Sequence, residues 1–290
     1  MIHSTNTRNV VTAFALLIFF MGVIFTSCQK SSTLPSALVP EAKSEGFDAV
    51  TGNHLIGFWK FNGDTKDASG KGNDGELMRG HPYFGAGIPV LTADRFGRSD
   101  MAYHFDHGGN VEVPYTSALN PKEMTISLWS KKDTAGRTIN TDFYCLTSLN
   151  RWYGYKLQYQ SQNKIFYTVR AIEGLDTVFY DRDDETAVLN NETWYHVAVT
   201  FKPGVMNFYI NGNLVKSWTN VPGIPVTVPS SVNFIIGQDL PTSLYSFDIS
   251  NRYYVGYGGF FTGDIDDVMF FNTALSTQQI KLIYTHQNTP

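Results

Sequence analysis

Trp194-Tyr195-His196-Val197-Ala198-Val199-Thr200-Phe201 is followed by Lys202-Pro203-Gly204, then by Met206-Asn207-Phe208-Tyr209-Ile210, and Asn211-Gly212 leads into Asn213 to Trp218. Aromatic and β-branched runs on either side of a Pro-Gly turn read as a β-hairpin. Asn-Gly suits the positive φ angles of a tight turn, so it adds a third strand directly. His196 alternates with apolar neighbours and is expected as a satisfied core or rim histidine.

Working outward, Met124 to Trp129 alternates, with Met124, Ile126 and Leu128 on one face and Thr125, Ser127 and Trp129 on the other. Trp129 and Trp194 are expected as core aromatics. Tyr155 to Gln160 and Lys164 to Ala171 flank Ser161-Gln162-Asn163 as a second hairpin. Leu55 to Phe61 ends at Asn62-Gly63-Asp64, and Asn233 to Gly237 and Ile265 to Phe271 supply further strands. Short strands separated by Gly, Asn, Asp and Pro predict an all-β fold: an antiparallel two-sheet β-sandwich of jelly-roll type. One helix is expected near the C-terminus. Ser276 caps it, Gln279 completes a capping box, and Ile280, Ile283 and Tyr284 share a face.

The N-terminus reads as a targeting segment. Arg8 precedes an apolar run from Val10 to Ile24, shorter than the roughly 20 residues of a membrane-spanning helix. Phe25-Thr26-Ser27-Cys28 resembles the bacterial lipobox. The resemblance implies removal of residues 1–27 and lipidation of Cys28, which then anchors the chain to a membrane. Residues 28–48, rich in Ser, Pro, Ala and Lys, read as a disordered tether, and residues 49–290 as the folded domain. Gln29-Lys30 resembles the start of a surface-export signal of Bacteroidetes-type lipoproteins, but Ser31 and Ser32 do not continue it. The expected location is the cell envelope, as an outer membrane lipoprotein with its facing side open. With Cys28 acylated, Cys145 is left without a disulfide partner; its apolar run points to a buried, inert thiol.

The formal net charge is −4 and no basic block exists, which argues against a nucleic-acid partner. The Gly-rich stretches 57–87 and 256–263 lack the strand–loop–helix context and the Lys of a phosphate-binding loop.

Several stretches, in order over about residues 55–284, resemble the LamG-like jelly-roll family of concanavalin A-like domains. They are Gly57-Phe58-Trp59-Lys60-Phe61-Asn62-Gly63-Asp64, Asp94-Arg95-Phe96-Gly97 with Ala102-Tyr103-His104-Phe105-Asp106, Thr125-Ile126-Ser127-Leu128-Trp129, Trp194 to Phe201, Phe208 to Asn213, and Gly263-Asp264-Ile265-Asp266-Asp267-Val268. The resemblance implies the fold; it does not name a ligand, because the family hosts many functions on one scaffold. It also implies that a structural calcium ion is common. Asp64, Asp67 and Asp266 are the candidate ligands for Ca²⁺, against the alternative that these residues cap turns and strand ends.

Two aromatic clusters carry the functional expectation. Trp152, Tyr153 and Tyr155 form one. Tyr245, Tyr253, Tyr254 and Tyr257, beside Asn251 and Arg252, form the other, in a segment that looks like an elaboration of the family's connection. Flat rings suit the C–H faces of a sugar, and hydroxyl, amide and guanidinium groups suit its hydroxyls. The competing reading is that these rings pack the loops onto the sandwich. Asp181, Asp183 and Glu185 have the period-two spacing of a carboxylate row, as in glucanases of this fold. The run Asp181-Arg182-Asp183-Asp184-Glu185 is charged throughout, however, which fits a solvated hairpin or loop. The resulting expectation is a non-catalytic carbohydrate-binding lipoprotein whose partner is an oligo- or polysaccharide. A protein-binding adhesion or structural module is the alternative, and a glycoside hydrolase a lesser one.

Overall fold

The computed structural model describes residues 41–52, 54–134 and 143–290. The expected leader 1–27, the expected lipidation at Cys28 and the expected tether up to residue 40 lie outside the described residues.

The antiparallel sandwich is formed as expected. One sheet has the order β13 (Asn213–Trp218), β12 (Val205–Ile210), β11 (Trp194–Lys202), β6 (Met124–Lys132), β16 (Gly263–Phe271), β4 (Ala102–Phe105) and β3 (Val90–Thr92), and β1 (Leu55–Trp59) also pairs with β16. The second sheet runs β10 (Asp176–Asp183), β9 (Lys164–Glu173), β8 (Tyr155–Gln160), β7 (Tyr144–Leu149), β15 (Phe234–Ile236), β5 (Asn110–Val113) and β2 (Glu76–Met78), with β14 (Ile224–Pro225) on β9. Every pairing between these strands is antiparallel.

Alternation decides what lies between the sheets. Met124, Ile126 and Leu128 of β6, Val197, Val199 and Phe201 of β11, and Tyr155, Leu157 and Tyr159 of β8 all enter the main core. The Asn211-Gly212 turn forms with φ of 50° and 71°, and Asn211 Oδ1 accepts the amide of His196 at 3.0 Å.

The outer face of the first sheet is roofed by α1 (Glu41–Thr51) and α2 (Thr277–Gln287). Ile280 and Ile283 of α2 join Val50, Leu55, Ala198, Tyr209 and Met269 in a second apolar cluster. The capping box forms as the sequence indicates, between Ser276 and Gln279. The folded body begins earlier than the expected start near Ala49: residues 41–48 are helical, because Phe47 stacks on His286 at 3.8 Å and Val50 is buried against α2. Trp129 belongs to this roofed face, not to the space between the sheets; its ring stacks on Tyr284 at 5.7 Å. Trp194 is half-exposed at the start of β11. His196 is fully buried, with Nε2 2.8 Å from Ser127 Oγ.

Edge strand β10 forms a hairpin with β9, so of the two expected forms, hairpin or loop, Asp181 to Asp183 take the hairpin. Tyr180 is buried and Val178 packs against the core, while Phe179 and Asp181 face outward. Charge at one end of the strand conceals this alternation in the sequence.

Candidate functional site

The site is built on the connection between β7 and β8. Asn150 and Arg151 both have positive φ, 64° and 53°, which reverses the chain within a few residues. Arg151 N donates to Ser148 Oγ at 3.0 Å and Tyr153 N to Asn150 O at 2.9 Å. A Cβ on Gly154 would fall 2.1 Å from the Leu149 carbonyl oxygen, so this closure needs glycine. Arg151 turns inward, and Trp152 and Tyr153 are left half-exposed over the outer face of the second sheet.

A buried ion pair pins this turn. Arg151 Nε donates to Asp239 Oδ2 at 2.9 Å, and its Nη1 donates to Tyr254 O at 3.2 Å. Asp239 also accepts the Gly259 amide at 3.0 Å and the Tyr245 hydroxyl at 2.5 Å. Burial disfavours the Arg151 charge, but Asp239 and Tyr245 outweigh it and hold the guanidinium above its usual pKa. Burial, with Asp239 adjacent, pushes the Tyr245 phenol well up. The elaborated segment and the aromatic turn are thus one unit.

The strand register sets the face below. Lys156 of β8, Thr168 of β9 and Asp181 of β10 stand in one cross-strand row, and Arg170 and Phe179 stand in the next. The Trp152 ring meets Phe143 and Phe166 edge-on at 5.7 and 6.1 Å. It also covers Lys156, whose Nζ lies 3.5 Å from the ring centre. Tyr153 lies under two guanidinium groups, Arg170 at 5.3 Å and Arg252 at 5.0 Å. Arg252 donates to the Tyr253 hydroxyl at 2.8 Å, which donates to Asn150 Oδ1 at 2.6 Å. Trp152, Phe179 and Asp181 border an open cavity of about 230 Å³. Such a face offers ring surfaces flanked by polar groups, the arrangement that sugars are held by.

Of the residues nominated from sequence, Trp152, Tyr153, Arg252 and Tyr253 come together here. Tyr155 is a correction. It is 0 % exposed between the sheets, and its hydroxyl donates to Leu119 O at 2.6 Å, because its strand position faces inward. Tyr245 and Tyr254 are corrected too, since they pack on a separate small core of Phe84, Val255 and Phe260. Tyr257 is exposed and rests edge-on against Tyr254 at 5.2 Å. Asn251 Oδ1 accepts the Tyr253 amide at 2.8 Å and so shapes a turn. Lys156, Arg170, Phe179 and Asp181 were missed as members of this face. The signal was present in β8, where Lys156 and Gln158 alternate with Tyr155, Leu157 and Tyr159.

The calcium ligand set does not assemble. Asp67 Oδ1 accepts the Phe58 and Ser69 amides, and its Oδ2 accepts Ser69 Oγ and the Asn73 amide, all within 3.0 Å. Asp266 Oδ2 is paired with Arg95 at 2.5 Å. Asp64 accepts the Lys66 amide in an exposed turn. These carboxylates order a loop and balance a guanidinium, and among the described residues no group of three or more His, Cys, Asp or Glu is arranged to hold a metal ion. The carboxylate row does not form either. Asp181 and Asp183 stay on β10, whereas Glu185 lies beyond the strand, with φ of 58°, and pairs with Lys216.

Residues 105–281 match the family model described as concanavalin A-like lectin/glucanases superfamily, of laminin G type. The chain belongs to this superfamily. No curated protein matches it in sequence. Among solved structures, domain 4 of AbnA, a GH43 extracellular arabinanase from Geobacillus stearothermophilus in complex with arabinotriose, superposes with a TM-score of 0.54 at 17% identity, covering 79% of this chain and 97% of that one. The binding domain of Paraclostridial Mosquitocidal Protein 1 gives 0.59 at 16% identity over 83% of this chain. The botulinum neurotoxin type C structure described as entering cells through two ganglioside molecules gives 0.53 at 16% over 83%. The chain spans 54% and 53% of those two toxin chains. At such identities the likeness is one of fold, and the superfamily carries both binding modules and glycosidases.

Proposed function

We propose that this chain is a non-catalytic carbohydrate-binding module of the bacterial cell envelope, held at the outer membrane by lipid on Cys28. The oligo- or polysaccharide rests on the outer face of the second sheet against Trp152, Tyr153 and Phe179. The observation that carries this reading is the open cavity bordered by Trp152, Phe179 and Asp181 on a turn pinned by the Arg151–Asp239 pair. The sugar and ganglioside ligands named for the fold neighbours support a binding role in general terms. Among the described residues no paired carboxylates flank the cavity, an arrangement that favours holding a glycan over cleaving it.

The test is a glycan panel probed with the full chain purified in detergent. Wild type retains at least one polysaccharide and Trp152→Ala releases it; a panel without a single retained glycan refutes the reading. For the anchor, Cys28→Ser abolishes incorporation of labelled fatty acid, and continued incorporation overturns that assignment.

A protein partner has one observation behind it. Ile172, Leu175 and Ile224 are exposed near the β9–β10 turn, with Ile172 paired to Ile224. Exposed apolar groups at an edge suit an adhesive contact. Leu175→Ser abolishing partner capture while leaving glycan retention intact separates the two roles.

A further inference from the structure

The face under Trp152 carries more positive charge than its surroundings account for. Lys156 is 0 % exposed, and its Nζ has no hydrogen-bond partner. Its contacts are the rings of Trp152 at 3.5 Å and Phe143 at 5.1 Å. Arg170 Nε is buried without a partner, and its guanidinium is flanked by Tyr153 and Phe179. Arg252 lies 5.0 Å from the centre of the same Tyr153 ring. Among the described residues none of these three cations forms an ion pair; Arg151, the fourth cation of the turn, is already matched by Asp239. The Thr168 hydroxyl and both amide atoms of Gln158, on neighbouring strand positions, also lack partners. Unmatched buried donors on the face of a sheet are costly, and a ligand that supplies acceptors removes the cost.

The chain as a whole is acidic, at −4. Local excess positive charge on an acidic protein selects an anionic ligand by complementarity. Asp181, on the cavity rim, is the carboxylate such a ligand meets, and it sits two strands from Lys156 in the same row. We propose that the face binds an acidic glycan, one bearing uronate carboxylates. A carboxylate replaces the indole of Trp152 over Lys156, Arg170 and Arg252 engage a neighbouring carboxylate, and the displaced indole stacks on the sugar ring. Burial brings the Lys156 ammonium down to about 8, with Asp239 opposing that fall.

This inference rests on the glycan-binding reading, and the experiment separates the two. Polygalacturonate, alginate and hyaluronan are immobilised beside their carboxyl-reduced counterparts and probed with the full chain in detergent. At least one polyuronate is retained roughly tenfold more tightly than its reduced form, a difference of about 1.4 kcal/mol. Lys156→Met and the surface variant Arg252→Gln each remove most of that preference, and Arg252→Gln does so with an unchanged melting temperature. Equal retention of native and reduced polymers, or retention of neutral glycans only, overturns the acidic specificity and leaves the glycan-binding reading in place. Retention of no polymer, acidic or neutral, overturns both.

Discussion

Arg151 Nε donates to Asp239 Oδ2 at 2.9 Å, and neither side chain is more than 1% exposed. The pair joins the turn that carries Trp152 to the segment that carries Tyr245, Tyr253 and Tyr254. Two distant stretches of chain thereby become a single rigid edge of the sandwich.

Breaking this pair isolates a buried charge. Arg151→Ala is expected to lower unfolding free energy by about 3–5 kcal/mol, the usual result of removing one partner of a buried ion pair. Tyr245→Phe removes a hydrogen bond to the same carboxylate and is expected to lower it by about 1.5–3 kcal/mol. Denaturant titration of the two variants checks the order, and an Arg151→Ala protein as stable as wild type contradicts it.

Core and surface rings behave differently. Tyr155→Phe removes one buried hydrogen bond and is expected to lower stability by about 1 kcal/mol, with glycan retention unchanged. Trp152→Ala is expected to reduce retention by roughly tenfold or more, about 1.4 kcal/mol, with only a small shift in melting temperature. Affinity electrophoresis beside thermal unfolding reads both, and retention lost in Tyr155→Phe but kept in Trp152→Ala would reverse the assignment.

His196 gives the pH dependence its sign. Burial, reinforced by Arg95 and Lys281, lowers its pKa from 6.5 to about 3. The folded state therefore favours the neutral ring. Its contribution is complete above 6.5 and is lost as pH falls from 6.5 toward 3. Stability of His196→Gln relative to wild type is expected to rise over that interval, because the variant has nothing to protonate. A constant difference between the two from pH 7 to about 4 is inconsistent with this assignment.

Arg95 holds the roof of the first sheet. It pairs with Asp266 at 2.5 Å and Asp267 at 2.9 Å, and donates to the Gln287 carbonyl at the end of α2. Burial raises the pKa of both carboxyls, each by its proximity to low-dielectric surroundings, and Arg95 opposes that rise. Arg95→Met is expected to lower stability by about 3–5 kcal/mol and to raise amide exchange along α2. Exchange of α2 unchanged in this variant contradicts the link.

The sandwich was legible because β8 alternates strictly, β6, β11 and β12 place their core residues at every second position, and Asn211-Gly212 names its own turn. The helix α2 was legible through Ser276 and Gln279. Edge strand β10 was obscured, since Asp181 and Asp183 face solvent and only Tyr180 and Val178 turn inward. At the site, aromatic content pointed to Trp152 and Tyr153 but could not separate them from Tyr155, which lies one strand position inward. Period-two counting along β8 does make that separation, because Tyr155 is in phase with Leu157 and out of phase with Lys156. Nothing local pairs Arg151 with Asp239, or Arg95 with Asp266 and Asp267. Those ion pairs arise from topology.

The proposed glycan face is the outer face of the second sheet around Trp152. Hydroxyl-radical footprinting of the full chain, with and without a saturating retained polysaccharide, tests it residue by residue. Protection is expected at Trp152, Tyr153 and Phe179, with Tyr257 and Trp194 equally reactive in both states. Protection confined to Tyr257, or to the helical roof over the first sheet, contradicts binding at Trp152.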